Sequence, residues 1–332
     1  LERRINIFLK SAGLLSVAAV LSAQVASVGL KSESIHAEVV RPSDRSVTHA
    51  LAGTPVAGYL VSPGGSEIHS LLTTSRTVKV DQAISIPGVT RRVYMPPRQQ
   101  YALVEQESGE PVAVWTLRGQ PLMPIGGAMA HPDLVAFSPR GDAMILYSQG
   151  SSSLQVITHL PAEPAVSRVL AVPFSNFEQF AVSDDGAVVV ALVATGRMVQ
   201  SSGSPAWIPL QTGFNARALC FIPKTRNLAI ADGSQKVIAE LSNVDSGSAL
   251  SYRVLAQDVE ADQLLATRGG EVLVAASLEQ GEVWTVDLRS GAVLQRQEAG
   301  RISSLYSLRD GYTFLLANSD GLSLMRLAEV IH

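Results

Sequence analysis

The chain has one cysteine, Cys220, among 332 residues, so no internal disulfide can form and stability has to come from burial. Aromatic residues supply 5% of the sequence and charged residues 17%. With a formal net charge of −3 and no Lys/Arg cluster interleaved with aromatics, it lacks the positive field and stacking groups of a nucleic-acid-binding protein. The six histidines, His36, His49, His69, His131, His159 and His332, are scattered, and none has the spacing of a His-Glu-x-x-His zinc helix. No Asp-x-Asp-x-Asp-Gly run offers the alternating oxygen ligands of a calcium loop, and no Gly-x-Ser-x-Gly elbow supports a serine hydrolase. These patterns imply no cofactor and no metal. What is abundant is apolar material, 46% of the chain, laid out in short runs that suit a large buried β core.

Those runs repeat. A short apolar segment, a polar turn of Pro, Gly or Asp and a second apolar segment recur at Met95-Pro96-Pro97-Arg98, Phe137-Ser138-Pro139-Arg140 and Val182-Ser183-Asp184-Asp185-Gly186. They recur again at Phe221-Ile222-Pro223-Lys224, Ala266-Thr267-Arg268-Gly269-Gly270 and Ser307-Leu308-Arg309-Asp310-Gly311. The third residues of these turns are 42, 45, 39, 45 and 41 positions apart. That is the length of a four-stranded propeller blade, and the runs are too short and too β-branched for helical repeats. The second run of each repeat is apolar nearly throughout, as befits a strand buried on both faces. An alternating third strand follows, clearest in Glu282-Val283-Trp284-Thr285-Val286-Asp287. The fold class expected is therefore all-β, a β-propeller of four-stranded blades with six blades, seven being the alternative if the N-terminal hairpin builds a blade of its own.

Residues 1–23 read as an export signal: Arg3, Arg4 and Lys10 precede a short apolar core over Ser11–Ala23. That core is too short for a comfortable membrane span, so no stable span is expected after its removal, and the location implied is periplasmic or extracellular. Residues 24–55 read as a flexible linker and 56–332 as the propeller. The last repeat lacks a convincing outer strand, and Ile68–Leu72 is the N-terminal strand expected to close its blade, since an open edge otherwise exposes unpaired backbone groups.

The blade motifs Phe-Ser-Pro-Arg-Gly-Asp, Val-Ser-Asp-Asp-Gly and Val-Trp-Thr-Val-Asp-Leu-Arg-Ser-Gly resemble those of exported bacterial propellers of the YVTN and WD-repeat-like group, over about residues 56–332 by the repeat logic. No Gly-His opens the blades and no Trp-Asp ends them, unlike true WD repeats. Propellers of this kind host binding modules, scaffolds and enzymes.

No catalytic residue is assigned. Asp184-Asp185-Gly186, Asp232-Gly233-Ser234 and Ser319-Asp320-Gly321 read as hairpin turns and not as calcium loops. Arg140-Gly141-Asp142 fills the same turn position as its counterparts in other repeats, which makes it a turn before it is an adhesion tripeptide. Cys220 sits in an apolar run as a small hydrophobe, and Trp115 and Trp284 suit packing between blades. Two functions stand. The first is a non-catalytic, monomeric exported module binding a protein, peptide or glycan. The second is a lactonase- or lyase-like enzyme with a site at the central channel, for which Glu105, Glu107, His131, Asp133 and Arg217 are the loop residues to watch. A polar cluster at the channel mouth favours the enzyme, and an apolar channel favours the binding module.

Overall fold

The computed structural model describes residues 34–37 and 56–327, apart from 63, 74–77, 118–119, 175, 195, 247–249 and 319–320. The expected export signal, His49, His332 and the pair Ser319-Asp320 lie outside the described residues.

The chain is all-β. A first short strand, β1 (Ser34–Ala37), precedes a three-stranded sheet of β2 (Val56–Val61), β3 (Ile68–Thr73) and β4 (Val78–Ile84). The second sheet holds β5 (Thr90–Tyr94), β6 (Ala102–Gln106), β7 (Ala113–Trp115) and β8 (Met123–Pro124). The third holds β9 (Leu134–Phe137), β10 (Met144–Ser148), β11 (Ser153–Thr158) and β12 (Ala165–Ala171). In the fourth are β13 (Phe177–Val182), β14 (Val188–Val193), β15 (Arg197–Ser202) and β16 (Ile208–Pro209). The fifth comprises β17 (Ala216–Phe221), β18 (Leu228–Asp232), β19 (Val237–Ser242) and β20 (Ser251–Gln257), and the sixth β21 (Gln263–Ala266), β22 (Val272–Ser277), β23 (Glu282–Asp287) and β24 (Val293–Glu298). The seventh is built from β25 (Ile302–Ser307), β26 (Thr313–Asn318) and β27 (Gly321–Arg326), with β1 hydrogen-bonded to β27 in the register Ser34↔Met325 to Ala37↔Leu322. Each sheet is antiparallel, and the seven together are the blades of a β-propeller.

All six sequence turns fall where they were placed, between the first and second strands of the second to seventh sheets. The expected blade number does not hold: the hairpin at 56–73 is joined by β4 into a blade of its own, so there are seven. Nor does Ile68–Leu72 serve as an outer strand of the last blade. It lies in β3, whose two edges are taken by β2 and β4, and a strand with both edges paired has no hydrogen bonds left for another sheet.

Second strands are the most deeply packed. Strands β14, β18 and β22 are buried along almost their whole length, which is why they are apolar at consecutive positions and do not alternate. Apolar clusters join successive sheets. Tyr147, Phe177 and Phe180 pack edge-on and tilted between the third and fourth, with ring centroids 4.5–5.5 Å apart, while Leu71 of the first sheet packs with Leu308, Leu315 and Leu324 of the last. Trp115 and Trp284 are buried in such clusters, as their sequence positions implied.

First strands neighbour one another, β9 with β13, β13 with β17, β17 with β21 and β21 with β25, and so surround the axis. Glutamines bolt them together. The Gln179 amide accepts from Leu219 N–H at 2.9 Å and donates to Leu219 C=O at 2.9 Å. Gln263 accepts from Leu305 N–H at 2.9 Å, and Gln99 makes both bonds to Tyr59, at 2.8 and 3.0 Å. Each amide satisfies strand edges that face another blade across a gap too wide for a direct ladder.

Candidate functional site

First strands run from one rim of the molecule to the other, which gives the channel two unlike mouths. At the loop mouth the first strands begin; at the turn mouth they end in the repeated turns.

Between the mouths lies a cavity of about 710 Å³, within the range of small-ligand pockets. Its wall comes from β2, β5, β9, β21 and β25, with Ala317 of β26 and Leu322 of β27: Leu60, Val61, Val93, Val135, Phe137, Leu265 and Leu305 are apolar, Ser62, Ser303, Ser304 and Ser307 are small and polar, and Tyr59, Tyr94 and Tyr306 complete the lining. Met95, Pro96, Pro97 and Gln99 line it towards the turn mouth. Among the described residues, no Asp, Glu, His, Lys or Arg lines this space.

At the loop mouth, the structure brings two of the five sequence candidates together. Glu105, 1% exposed, sits near the end of β6 and accepts from His131 at 2.8 Å, Nδ1 to Oε1. Arg91 Nη1 lies 3.2 Å from the same oxygen, and the Tyr94 hydroxyl donates to Oε2 at 3.2 Å. Arg91 reaches the carboxylate because it is the extra residue of a β-bulge, between the pairs Thr90↔Gln106 and Arg92↔Glu105. Burial, and secondarily the Glu105 charge, push the Tyr94 hydroxyl above its usual pKa against the opposing pull of Arg92. His131 is oriented by the carboxylate, with its side chain 40% exposed. That geometry resembles the carboxylate–imidazole half of a general-base site.

The other candidates go elsewhere. Glu107 is exposed and contributes its backbone N–H to Val89 C=O. Asp133 is a turn cap: its carboxylate accepts Gln149 N–H at 2.7 Å, as Asp262 accepts Leu278 N–H at 3.0 Å, both across 16 residues. Arg217, again a bulge residue, between Ala216↔Asp232 and Ala218↔Ala231, pairs with Glu260 at 3.1 Å and Asp262 at 3.4 Å. Lys236 and Gln280 complete that group on Glu260. Among the described residues no cluster of His, Cys, Asp and Glu is arranged to hold a metal ion.

The turn mouth is organised by Asp184. Its two oxygens accept the backbone N–H groups of Arg140, at 2.8 Å, and Lys224, at 2.9 Å, tying three successive blades. Its neighbour Asp185 accepts Ser183 Oγ and Ala187 N–H and pairs with Arg226, so Asp-Asp-Gly is turn chemistry here, as read from the sequence. Tyr101 donates to Gly141 C=O at 2.7 Å, which makes Arg140-Gly141-Asp142 part of the same joinery. Sequence reasoning passed over Arg98 in this rim. It is 8% exposed, its Nε is buried with no hydrogen-bond partner, and burial followed by the Arg140 charge lowers its pKa. Cys220 is half-buried, and burial pushes its thiol up to about 12, so at neutral pH it is no nucleophile.

No protein-family model and no curated protein matches this chain. Solved structures do. Hydrazine synthase of Kuenenia stuttgartiensis is similar over 86% of this chain and 99% of its own, at 15% identity and a TM-score of 0.53. A chain in the crystal structure of a mitotic checkpoint complex is similar over 87% of this chain and 99% of its own, at 14% identity and a TM-score of 0.55. At such identities the likeness shows the fold alone: this chain shares the propeller architecture of both.

Proposed function

We propose that this chain is a non-catalytic binding module, exported and monomeric, whose protein, peptide or glycan partner places a small group in the central cavity. The observation that carries this reading is the cavity wall, apolar with scattered hydroxyls and free of acid–base side chains, since such walls bind by burial and orient by a few hydrogen bonds. Probing peptide and glycan arrays with the purified chain and with Ser304→Arg, which fills the cavity, tests it. Ligands kept by the parent and lost by the variant at an unchanged melting temperature are expected; ligands kept by both overturn it. Export is supported by the charge and apolar pattern of residues 1–23, and processed chain found only in the cytosol of fractionated cells would refute it. The pairing of β1 with β27 supports closure of the ring by an N-terminal strand. Deleting residues 1–37 then lowers the melting temperature, and an unchanged melt removes that role.

A second reading rests on the 2.8 Å contact of Glu105 with His131. There the imidazole acts as general base at the loop mouth of a lactonase- or lyase-like enzyme. Lactone turnover abolished by His131→Gln, with folding intact, would establish it in place of the binding module. A chain inactive across a lactone panel removes it.

A further inference from the structure

Arg98 is a largely buried cation whose Nε has no hydrogen-bond partner among the described residues. Most of its side chain is out of water, its Nε has no partner, and no other hydrogen bond or ion pair of its guanidinium is found among the described residues. Native structures rarely leave a buried charge unpaired, because desolvation is repaid only by a partner. The exception calls for a missing partner at this spot.

The position says where that partner sits. Arg98 belongs to the turn whose Pro96, Pro97 and Gln99 line the cavity. The charges that act on it are those of Arg140 and Asp142 in the third blade, Asp184 in the fourth and Arg268 in the sixth. These residues all stand in or beside the repeated turns, so Arg98 lies at the turn mouth, next to the cavity that its own turn lines. The two carboxylates there are already engaged. Asp184 spends both oxygens on backbone N–H groups, and Asp142 lies 3.2 Å from Arg140 Nε, close as charges though poorly directed as a hydrogen bond. Positive charge is left over at the turn mouth, beside an apolar space.

We propose that the turn mouth is an anion site anchored by Arg98, and that its ligand is a carboxylate with an apolar body, the body in the cavity and the head on the guanidinium. A planar guanidinium matches a carboxylate in a two-bond fork, and Arg140 and Arg268 add a favourable field. The proposal rests on the reading of the cavity as a binding site and names the chemistry it takes. The carboxylate belongs either to a free organic acid or to the C-terminus of an apolar peptide.

Calorimetric titration of the full chain with octanoate, octan-1-ol, an apolar tripeptide acid and the same tripeptide amide decides the matter. At least one acid is expected to bind about tenfold or more tighter than its neutral counterpart, a margin of one decade in Kd. Octanoate or the tripeptide acid being the tighter of the two assigns the source. Arg98→Met is expected to erase the margin while leaving the neutral ligands bound. Because no protein partner of Arg98 is found among the described residues, this variant is expected to fold; Arg268→Gln, at an exposed position, supplies a second, weaker reduction. Acids and neutral counterparts binding alike, with Ser304→Arg still removing them, would overturn the anion site and leave the cavity reading standing. No binding of any of the four, together with array ligands indifferent to Ser304→Arg, would remove both.

Discussion

At the loop mouth Arg91 and Arg217 each pair with carboxylates within 3.4 Å, whereas at the turn mouth the more deeply buried Arg98 has no ion pair among the described residues. The same guanidinium chemistry is settled at one end of the channel and left open at the other. A settled charge contributes to folding and is costly to remove; an open one costs folding and is retained for something outside the fold. The loop mouth also holds its carboxylates firmly. Asp232, fully buried at the end of β18, accepts Asn215 N–H at 2.8 Å, Ser234 N–H at 2.7 Å, Ser234 Oγ–H at 2.6 Å and Gln235 N–H at 2.9 Å. Burial alone would raise its pKa, but these bonds together outweigh burial and hold it below the usual carboxylate value.

The largest effect is expected at Asp232. Asp232→Ala takes the acceptor from three part-buried backbone donors and costs about 2–3 kcal/mol of stability in denaturant unfolding, and a loss below about 1 kcal/mol would show that the donors find water instead. Since the folded pKa lies below the unfolded one, the stabilisation is present above the ordinary carboxylate pKa and is lost as pH falls through the folded value. Next comes Glu105→Gln, which weakens the bonds to Arg91, His131 and Tyr94. Arg91 and His131 are both well exposed to solvent, so the loss is expected at about 1–2 kcal/mol, less than for a fully buried pair. Arg98→Met should move the other way, raising stability by about 1 kcal/mol. A loss of that size would show that Arg98 is a structural residue and would erase the contrast between the mouths.

How far these features were legible follows from the reach of local sequence. The turns were visible because Pro, Gly and Asp punctuate each repeat at one place, and the same turns carry the joinery of the rim. The first blade was legible only as the alternative to six, because Val56–Ile84 shows three strands among the described residues and its central strand looks like any spare β segment; the sheet order shows both its edges occupied. Glu105 and His131 were singled out as loop residues, yet their contact across 26 positions depends on two blades meeting. Arg91 and Arg217 depend on bulges, and a bulge is a register shift that leaves no compositional mark. Asp133 reads as a possible channel acid, and its place as a turn cap shows in the 16-residue bond that it shares with Asp262. Arg98, in Pro-Pro-Arg-Gln-Gln, carries no local mark of burial, and the charges that act on it all belong to other blades.

The smallest expected effect is also the one that separates the two mouths by sign. Asp142, on the turn rim, has its pKa raised, by burial first and by the Asp184 charge, and the opposing pull of Arg140 and Arg98 does not cancel this. An acid whose folded pKa exceeds its unfolded one holds its proton better in the folded chain. Its ionised form therefore costs stability at neutral pH, and that cost fades as pH falls through the folded value and is gone below the unfolded one. Asp142 is more than a third exposed, so solvent screening keeps the cost to a few tenths of a kcal/mol. Asp142→Asn is accordingly expected to melt slightly above the parent at pH 7 and level with it in acid, the reverse of Asp232→Asn, whose deficit is largest at pH 7. With one negative charge gone from beside Arg98, the same variant should also bind the carboxylate ligand more tightly. An Asp142→Asn chain that melts lower at pH 7 and binds acids no better would mean that Asp142 is the partner Arg98 otherwise lacks, and the turn mouth would then be as settled as the loop mouth.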